Sequence, residues 1–341
     1  MITEDVRHLA PAELPAPLHL AVRAVAPALP VIRRLGATLD AVAPVVKPDG
    51  SPVTAADFAV QAVVASLLRQ GLGGERLPLL GEESADGLMQ ARRPDVEQLV
   101  IEAVREACGW VDRARAIAAI DGDAPRPGER TWSVDPIDGT RGFVAGAQCA
   151  VCLALTDGAD VELAVLGCPR LGPTGDGRVH PGGPGVILAA VRGGGAFECD
   201  ASGASARTLR PGRWRGPDVR WARSMNRSGN AVPSRLEPRV GAIGPIRDVR
   251  MDSQCKYGLV ARGDADLVVR MPRGGTAECV WDHAAGALLV TESGGTASDV
   301  LGKRLDFAHG ARLERNAGIL CARDGLHEAA RAAVAPMVNI A

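Results

Sequence analysis

Two aspartates flank the point where a buried strand must give way to a turn, in Asp135-Pro136-Ile137-Asp138-Gly139-Thr140. Upstream, Thr131-Trp132-Ser133-Val134 reads as a short buried strand. Pro136 has no N–H for a ladder and is expected to stop it. Gly139 permits a tight turn, and Thr140 stands where the next segment begins. A carboxylate at a strand end and a second one across a turn can converge on one point. Hard oxygen ligands so placed suit Mg²⁺, which takes one or two carboxylates together with waters and a substrate phosphate. Free backbone N–H groups at Gly139 and Thr140 would face the same point and favour an anion. The chemistry this pattern predicts is a metal held beside a phosphate.

The chain must bury a core large enough to hold such a site. With 341 residues, 46% of them hydrophobic, it has material for a large core or two cores in one unit. With a net charge of -1, nothing global argues for a nucleic-acid partner or an anionic membrane, and neither is expected. No apolar run approaches the ~20 residues that span a bilayer. The opening Met1-Ile2-Thr3-Glu4-Asp5 is acidic where a signal peptide is basic, and Pro27 and Pro30 interrupt the apolar stretch that follows. A soluble cytoplasmic protein, monomer or homodimer, is expected. Its eight cysteines then read as reduced thiols. Cys149 and Cys152 share one strand-like run, where residues three apart face opposite sides, so they are expected to be buried hydrophobes and not a metal or redox pair. Of 39 basic residues only Lys47, Lys256 and Lys303 are lysines, which singles out positions where a compact charge on a flexible stem is kept.

Along the chain, residues 18–41 predict a helix made irregular by prolines. Lys47-Pro48-Asp49-Gly50-Ser51-Pro52-Val53 is a loop by composition. Residues 54–70 predict a helix with Val60, Val63, Val64, Leu67 and Leu68 in one stripe. Residues 77–80 predict a strand, and a charged, largely helical stretch of roughly fifty residues follows before the central motif. Strands are expected at 149–156, 161–167, 186–191 and 266–271, with a Gly/Pro-rich turn at 172–185 and a helix at 282–291 ended by Ser293-Gly294-Gly295. Strands with helices laid on their faces give a layered α+β architecture. Its division is expected at residues 1–200, an N-terminal α+β subdomain, and 201–341, a C-terminal α/β subdomain.

Carboxylates stand beside turns or element ends in four places: Glu82 after a strand, Asp135 with Asp138, Asp282 before a helix, and Asp57 at a helix start. Each has a plain structural alternative. Asp282 could be an N-cap, Thr54 with Asp57 a capping-box variant, and Glu82 with Glu83 a solvated pair. Only Asp135 with Asp138 leans to function unaided.

Three stretches, Gly81-Glu82-Glu83-Ser84, the Asp135–Thr140 motif and Trp281-Asp282-His283-Ala284-Ala285-Gly286, resemble the signatures of the inositol monophosphatase superfamily. That resemblance implies a layered αβαβα sandwich of the inositol monophosphatase/fructose-1,6-bisphosphatase type and a Mg²⁺-dependent, lithium-sensitive phosphomonoesterase with two or three ions per site. The Lys47–Asp57 stretch, the long interval before Asp135, Arg141-Gly142-Phe143 and Asp252-Ser253-Gln254-Cys255-Lys256-Tyr257 are similar to the 3'(2'),5'-bisphosphate nucleotidase branch. Carried onto this chain, the resemblance makes Glu82, Asp135, the Ile137 carbonyl, Asp138 and Asp282 the metal ligands. Asp57 and Thr140 activate the attacking water. Gly139, Thr140, Ser253, Lys256, Arg270 and Asp282 line the substrate. Where the branch has a Gly-His-Ser stretch, this chain has Ser224-Met225-Asn226-Arg227-Ser228-Gly229, and Arg227 takes the histidine's place. The implied substrate is adenosine 3'(2'),5'-bisphosphate, with 3'-phosphoadenylyl sulfate as a second one.

Two other readings compete. One is an inositol or other sugar-phosphate phosphatase on the same fold. The other is a non-catalytic nucleotide or RNA binder, prompted by eleven arginines against three acids between Arg207 and Arg250. That strip has no aromatics beyond Trp214 and Trp221, and a solvated face explains it better.

Overall fold

The computed structural model describes residues 8–9, 14–39, 43–47, 50–74, 76–109, 111–172, 183–225, 235–272 and 277–340. Two sheets and a hairpin carry the strands, numbered here along the chain. They are β1 (His8–Leu9), β2 (Val45–Val46), β3 (Pro52–Val53), β4 (Leu79–Gly81), β5 (Thr131–Asp138), β6 (Ala150–Asp157), β7 (Asp160–Cys168), β8 (Val186–Val191), β9 (Gly195–Asp200), β10 (Ala206–Leu209), β11 (Val219–Arg223), β12 (Ile246–Arg250), β13 (Leu267–Arg270), β14 (Thr296–Ser298) and β15 (Ile319–Ala322). The helices are α1 (Ala16–Val25), α2 (Ala28–Gly36), α3 (Ala55–Gly71), α4 (Ala85–Ala91), α5 (Pro94–Cys108), α6 (Arg113–Ala118), α7 (Thr140–Val144), α8 (Leu236–Gly241), α9 (Cys255–Arg262), α10 (Ala284–Glu292) and α11 (His327–Val334).

The first sheet runs β1-β10-β9-β8-β7-β6-β5-β4 and the second β12-β11-β13-β15-β14. In the first sheet only β4 and β5 are parallel, so both strands end on the same edge. Cys149 and the residues of β6 that follow it alternate between two cores. Cys149, Val151, Leu153 and Leu155 pack with α1, α2, α3 and α5, whereas Ala150, Cys152 and Ala154 pack with α9 and α10. A sheet buried on both faces reads as one continuous apolar run. The expected opposite orientation of Cys149 and Cys152 is borne out, and all eight cysteines are free thiols. A third core sets α8 and α11 against the far face of the second sheet. The layers are therefore helix, sheet, helix, sheet, helix, as expected.

Several local expectations shift. The first helix breaks in two at Pro27, which cannot continue the backbone ladder. Pro136 does not stop β5, which runs on to Asp138. The register slips between Asp135 and Asp138, an irregularity that leaves the missing N–H without a ladder partner to lose. Helix α10 begins at Ala284, two residues later than expected, with His283 as its N-cap residue. The arginine-rich stretch contains β11 and β12, which periodicity did not reveal because each carries two arginines three residues apart, breaking any strict apolar/polar alternation. No helix among the described residues is long and apolar enough to cross a membrane.

Candidate active site

Chain ends of both sheets meet at one edge. Parallel β4 and β5 deliver Glu82 and Asp135 side by side, with the Glu82 N–H on the Val134 carbonyl at 3.1 Å. The slipped register at the end of β5 brings Asp138 back towards Asp135, and the turn before α10 brings Asp282. Carboxylate oxygens of Asp135, Asp138 and Asp282 lie within 4.8 Å of one another. Burial, and then the charges of Glu82, Asp138 and Asp282, hold Asp135 well above the usual carboxylate range. Asp282 is pushed up to about 7 by burial, then by Asp138. Asp138 is raised by burial, although Lys256 and the Gln254 N–H, which donates to its Oδ2, oppose that. Acids this close, packed without an equal number of cations, need an added positive charge to stay ionised together.

The plain alternatives fare unevenly. Asp282 is not the N-cap of α10, a position held by His283. Glu82 and Glu83 are not a solvated pair: Glu83 is buried, and Lys47 bonds both, at 3.2 Å to Glu82 and 2.5 Å to Glu83. The β2–β3 hairpin presents that lysine, closed by Lys47 N–H to the Ser51 carbonyl at 2.8 Å. Burial would lower the Lys47 pKa, but the two carboxylates outweigh it and raise it. Pro48 and Asp49 of the same loop, and Arg227, lie outside the described residues.

Asp57 serves both of its readings. Its Oδ2 closes a capping box at α3, accepting from Thr54 N–H at 2.7 Å and Thr54 Oγ1 at 2.6 Å. Its Oδ1 faces Thr140 Oγ1 at 3.1 Å, and that hydroxyl also reaches the Ile137 carbonyl at 3.0 Å. One hydroxyl hydrogen therefore has two acceptors. Burial pushes Asp57 up to about 7, against the lowering effect of the Thr54 bonds.

Helix α7 starts at Thr140, with Gly139 as N-cap at φ 88° and no side-chain cap, so its first N–H groups have no intrahelical acceptor. Only glycine suits Gly139. Besides the positive φ, a Cβ there would stand 3.2 Å from the Ser253 Cβ and 3.4 Å from the Gln148 carbonyl. Ser253 itself sits at φ 64°, a strained position at the entrance to α9. Beyond it, Gln254 ties α9 to α10 by bonds to the Trp281 carbonyl at 2.7 Å and from Gly286 N–H at 3.0 Å. Lys256 extends to Ser224 Oγ at 3.3 Å, and burial lowers its pKa. Arg270, at the end of β13, pairs with Glu278 at 2.7 Å and stands 4.0 Å from Asp282. All the sequence-predicted residues that the structure describes are thus gathered around one acidic centre.

Glu278, Gln254 and Tyr257 carried no predicted role here, whereas His283, expected as a packing residue beside Asp282 and not a base, is found in that place. Glu278, Asp282 and His283 also lie close enough to hold an ion. However, both His283 ring nitrogens are taken, Nδ1 by Tyr257 at 2.7 Å and Nε2 by Glu278 at 3.3 Å. Burial lowers His283 to about 4, while its bond to Glu278 and the charge of Arg270 help to hold Glu278 down at about 2 against burial. The only sequence signal for Glu278 was a lone acid in the apolar run before Trp281.

Hard carboxylate oxygens with the Ile137 carbonyl, short of positive charge, form a donor set that fits a divalent ion such as Mg²⁺. A different cleft, of about 260 Å³, opens at the start of β11 and β13 and is lined by Trp214, Arg220, Arg247, Asp266 and Arg323. Its charges are already matched. Asp266 accepts from Arg220 at 2.6 Å and Arg323 at 3.0 Å, and Arg247 pairs with Asp218 at 2.5 Å.

A model of the inositol monophosphatase family matches residues 49–338. The chain belongs to the inositol monophosphatase family. A Schizosaccharomyces pombe member named 3'(2'),5'-bisphosphate nucleotidase is 36% identical over 299 residues, 83% of either chain. Proteins of the same name from Emericella nidulans and Dictyostelium discoideum are each 32% identical, over 86% and 83% of this chain and 90% and 85% of theirs. Among solved structures, extragenic suppressor protein suhB from Bartonella henselae superposes with a TM-score of 0.64 at 20% identity, over 94% of this chain and 98% of that one. CysQ from Bacteroides thetaiotaomicron gives 0.57 at 19% identity, over 92% and 98%. Both carry the same fold. Enzymes of this family are generally metal-dependent, in keeping with the acidic cluster found here.

Proposed function

We propose that this protein is a Mg²⁺-dependent 3'(2'),5'-bisphosphate nucleotidase, removing the 3'(2')-phosphate of adenosine 3'(2'),5'-bisphosphate to give AMP and phosphate. The observation that carries the reading is one edge where Asp135, Asp138 and Asp282 converge while Lys256 and Arg270 border them. An acid cluster alone fits any phosphomonoester. Two cations beside it fit a substrate with a second phosphate, and the relatives' names agree with that.

In this reading Glu82, Asp135, the Ile137 carbonyl, Asp138 and Asp282 hold the ions. Bound Mg²⁺ neutralises phosphate charge and lowers the pKa of water. Asp57 is the base, and its pKa near 7 lets it accept a proton at Oδ1 in neutral solution. Thr140 Oγ1, between Asp57 and the Ile137 carbonyl, hands that proton on from the attacking water. Gly139 and the first N–H groups of α7 lie beside the phosphate being transferred. Ser253, Lys256 and Arg270 hold the rest of the nucleotide, and Arg227 is assigned to its sugar or base. Residues 1–200 then contribute most of the metal ligands, and residues 201–341 contribute Asp282 with the nucleotide contacts.

Phosphate release from adenosine 3',5'-bisphosphate, 3'-phosphoadenylyl sulfate and inositol 1-phosphate, with and without Mg²⁺, tests this. The bisphosphate is expected to have the highest kcat/KM, with no turnover after chelation. Faster hydrolysis of inositol 1-phosphate would instead make the protein a sugar-phosphate phosphatase.

A further inference from the structure

We propose that Glu278, held by His283 and Tyr257, is the positioning residue that aims the Arg270 guanidinium at the second phosphate of the substrate. The proposal rests on the reading of Arg270 given above. It adds that preference for a doubly phosphorylated substrate is set by a carboxylate that never touches it.

Arg270 leaves the end of β13 on a long, flexible side chain that loses rotamer entropy when it is fixed. Its nearest acid is Glu278, 2.7 Å from one terminal nitrogen. Asp282, which the acidic centre also claims, is at 4.0 Å. Glu278 therefore keeps the guanidinium off Asp282. The Asp282 oxygens stay available to an ion, and the remaining N–H groups of Arg270 to an anion.

Glu278 is itself held, and its hydrogens can be assigned. An ionised carboxylate only accepts, so Oε2, 3.3 Å from His283 Nε2, takes a hydrogen from that nitrogen. The other ring nitrogen of the neutral imidazole must then accept, and the Tyr257 hydroxyl donates to Nδ1 at 2.7 Å. Tyr257 cannot move to relax this chain. Its ring stands edge-on to His283, with centroids 6.1 Å apart at 78°, and lies against Gly286, where a Cβ would come within 2.4 Å of it. Tyr257 belongs to α9 and Gly286 to α10, so the packing of these two helices fixes the direction of one guanidinium.

Kinetics on adenosine 3',5'-bisphosphate and on adenosine 3'-monophosphate at saturating Mg²⁺ decide the matter for Glu278→Gln, Tyr257→Phe, Arg270→Gln and Glu278→Gln combined with Arg270→Gln. Glu278→Gln is expected to raise KM for the bisphosphate about 10-fold, the size of one charge-assisted hydrogen bond. Its kcat, and both constants for the monophosphate, should stay within about 2-fold. Tyr257→Phe should move the bisphosphate KM the same way by roughly 3-fold, and it serves as the test should the glutamine variant fail to fold. The double variant should be no worse than Arg270→Gln alone, because a residue acting only through Arg270 has nothing left to aim. Equal losses on both substrates, or additive losses in the double variant, would overturn the positioning role while leaving Arg270 as a phosphate contact. An unchanged substrate ratio in Arg270→Gln itself would remove the reading of Arg270, and this proposal with it.

Discussion

At the start of β13, Asp266 is buried between the guanidinium groups of Arg220 and Arg323 and accepts the Arg220 N–H at 2.8 Å as well. Beyond the other end of the same strand, Asp135, Asp138 and Asp282 crowd together, with Lys256 and Arg270 only at their border. Both clusters take carboxylates out of water, but only the first is matched to cations within its own fold. A matched cluster serves the fold, because its desolvation is offset by hydrogen-bonded charge. An unmatched one lowers the stability of the fold and awaits a cation from outside. The cleft beside Asp266 has its charges paired within the fold; the edge beside Asp135 has unmet charge in abundance.

The sharpest break of this contrast is Asp135→Asn. It should reduce kcat by at least ~10³-fold, since electrostatic stabilisation at such a centre is among the largest catalytic contributions. The metal-free variant should melt no lower than the parent, because like-charge repulsion is relieved. Phosphate release and a melting curve on one preparation check both halves. Near-normal turnover would remove the metal assignment.

Next in size is the response of the metal-free protein to pH. Asp57 and Asp282 are pushed up to about 7, and Asp135 and Asp138 are raised as well. The folded chain therefore binds more protons than the unfolded one between about pH 4 and pH 7. Their stability contribution is full below about 4 and is lost as pH rises through 7. His283, lowered to about 4, opposes this between about 4 and 6.5, but it is one group against several. The net loss should be on the order of 4 kcal/mol, read as a melting temperature that falls by several degrees in EDTA from pH 4.5 to 8. Mg²⁺ should flatten or reverse the slope, because it binds the deprotonated carboxylates of the folded chain.

Asp266→Asn probes the matched cluster. Arg220 and Arg323 would lose their shared counter-charge, and stability should fall by about 3 kcal/mol. Both arginines keep some solvent contact, which holds the loss to the lower end for a broken buried pair. Activity per folded molecule should survive, as shown by kcat measured below the new melting temperature. A kcat loss as deep as that of Asp135→Asn would erase the distinction between the two ends of β13.

That distinction was partly legible in the sequence. Asp135 and Asp138 sit in six residues whose proline, glycine and threonine already describe a strand end and a turn, so local chemistry announced them. Asp57, Glu82 and Asp282 each had a sound local alternative, and for Asp57 the capping box is present in the structure. Their convergence depends on β4 and β5 running parallel and on α10 closing from the second sheet, long-range pairings that periodicity does not encode. The path of β5 through Pro136 was misread because a proline normally ends a strand, and the slipped register spares it here. Strands β11 and β12 were hidden by arginines three apart that break the period-two pattern and find acids on neighbouring elements, such as Arg223 with Glu237 and Asp248. Glu278 was invisible for the same reason: its partners Arg270 and His283 belong to separate elements.

The smallest effect belongs to the border between acids and cations. Lys256 is one of three lysines in a chain that otherwise uses arginine, its Nζ meets Ser224 Oγ at 3.3 Å, and its charge lowers the Asp138 pKa. Lys256→Met keeps the buried stem and removes the charge. It should lower kcat/KM for adenosine 3',5'-bisphosphate by roughly 10- to 30-fold, about the range of one hydrogen bond to a charged group. The loss on adenosine 3'-monophosphate should be no more than about 3-fold, because the acid cluster, and not Lys256, meets the phosphate common to both substrates. Equal losses on the two would mean that Lys256 acts through Asp138 on the ions and reads no second phosphate. The border would then be part of the acidic centre, and Arg270 would be left as the one cation assigned to the second phosphate.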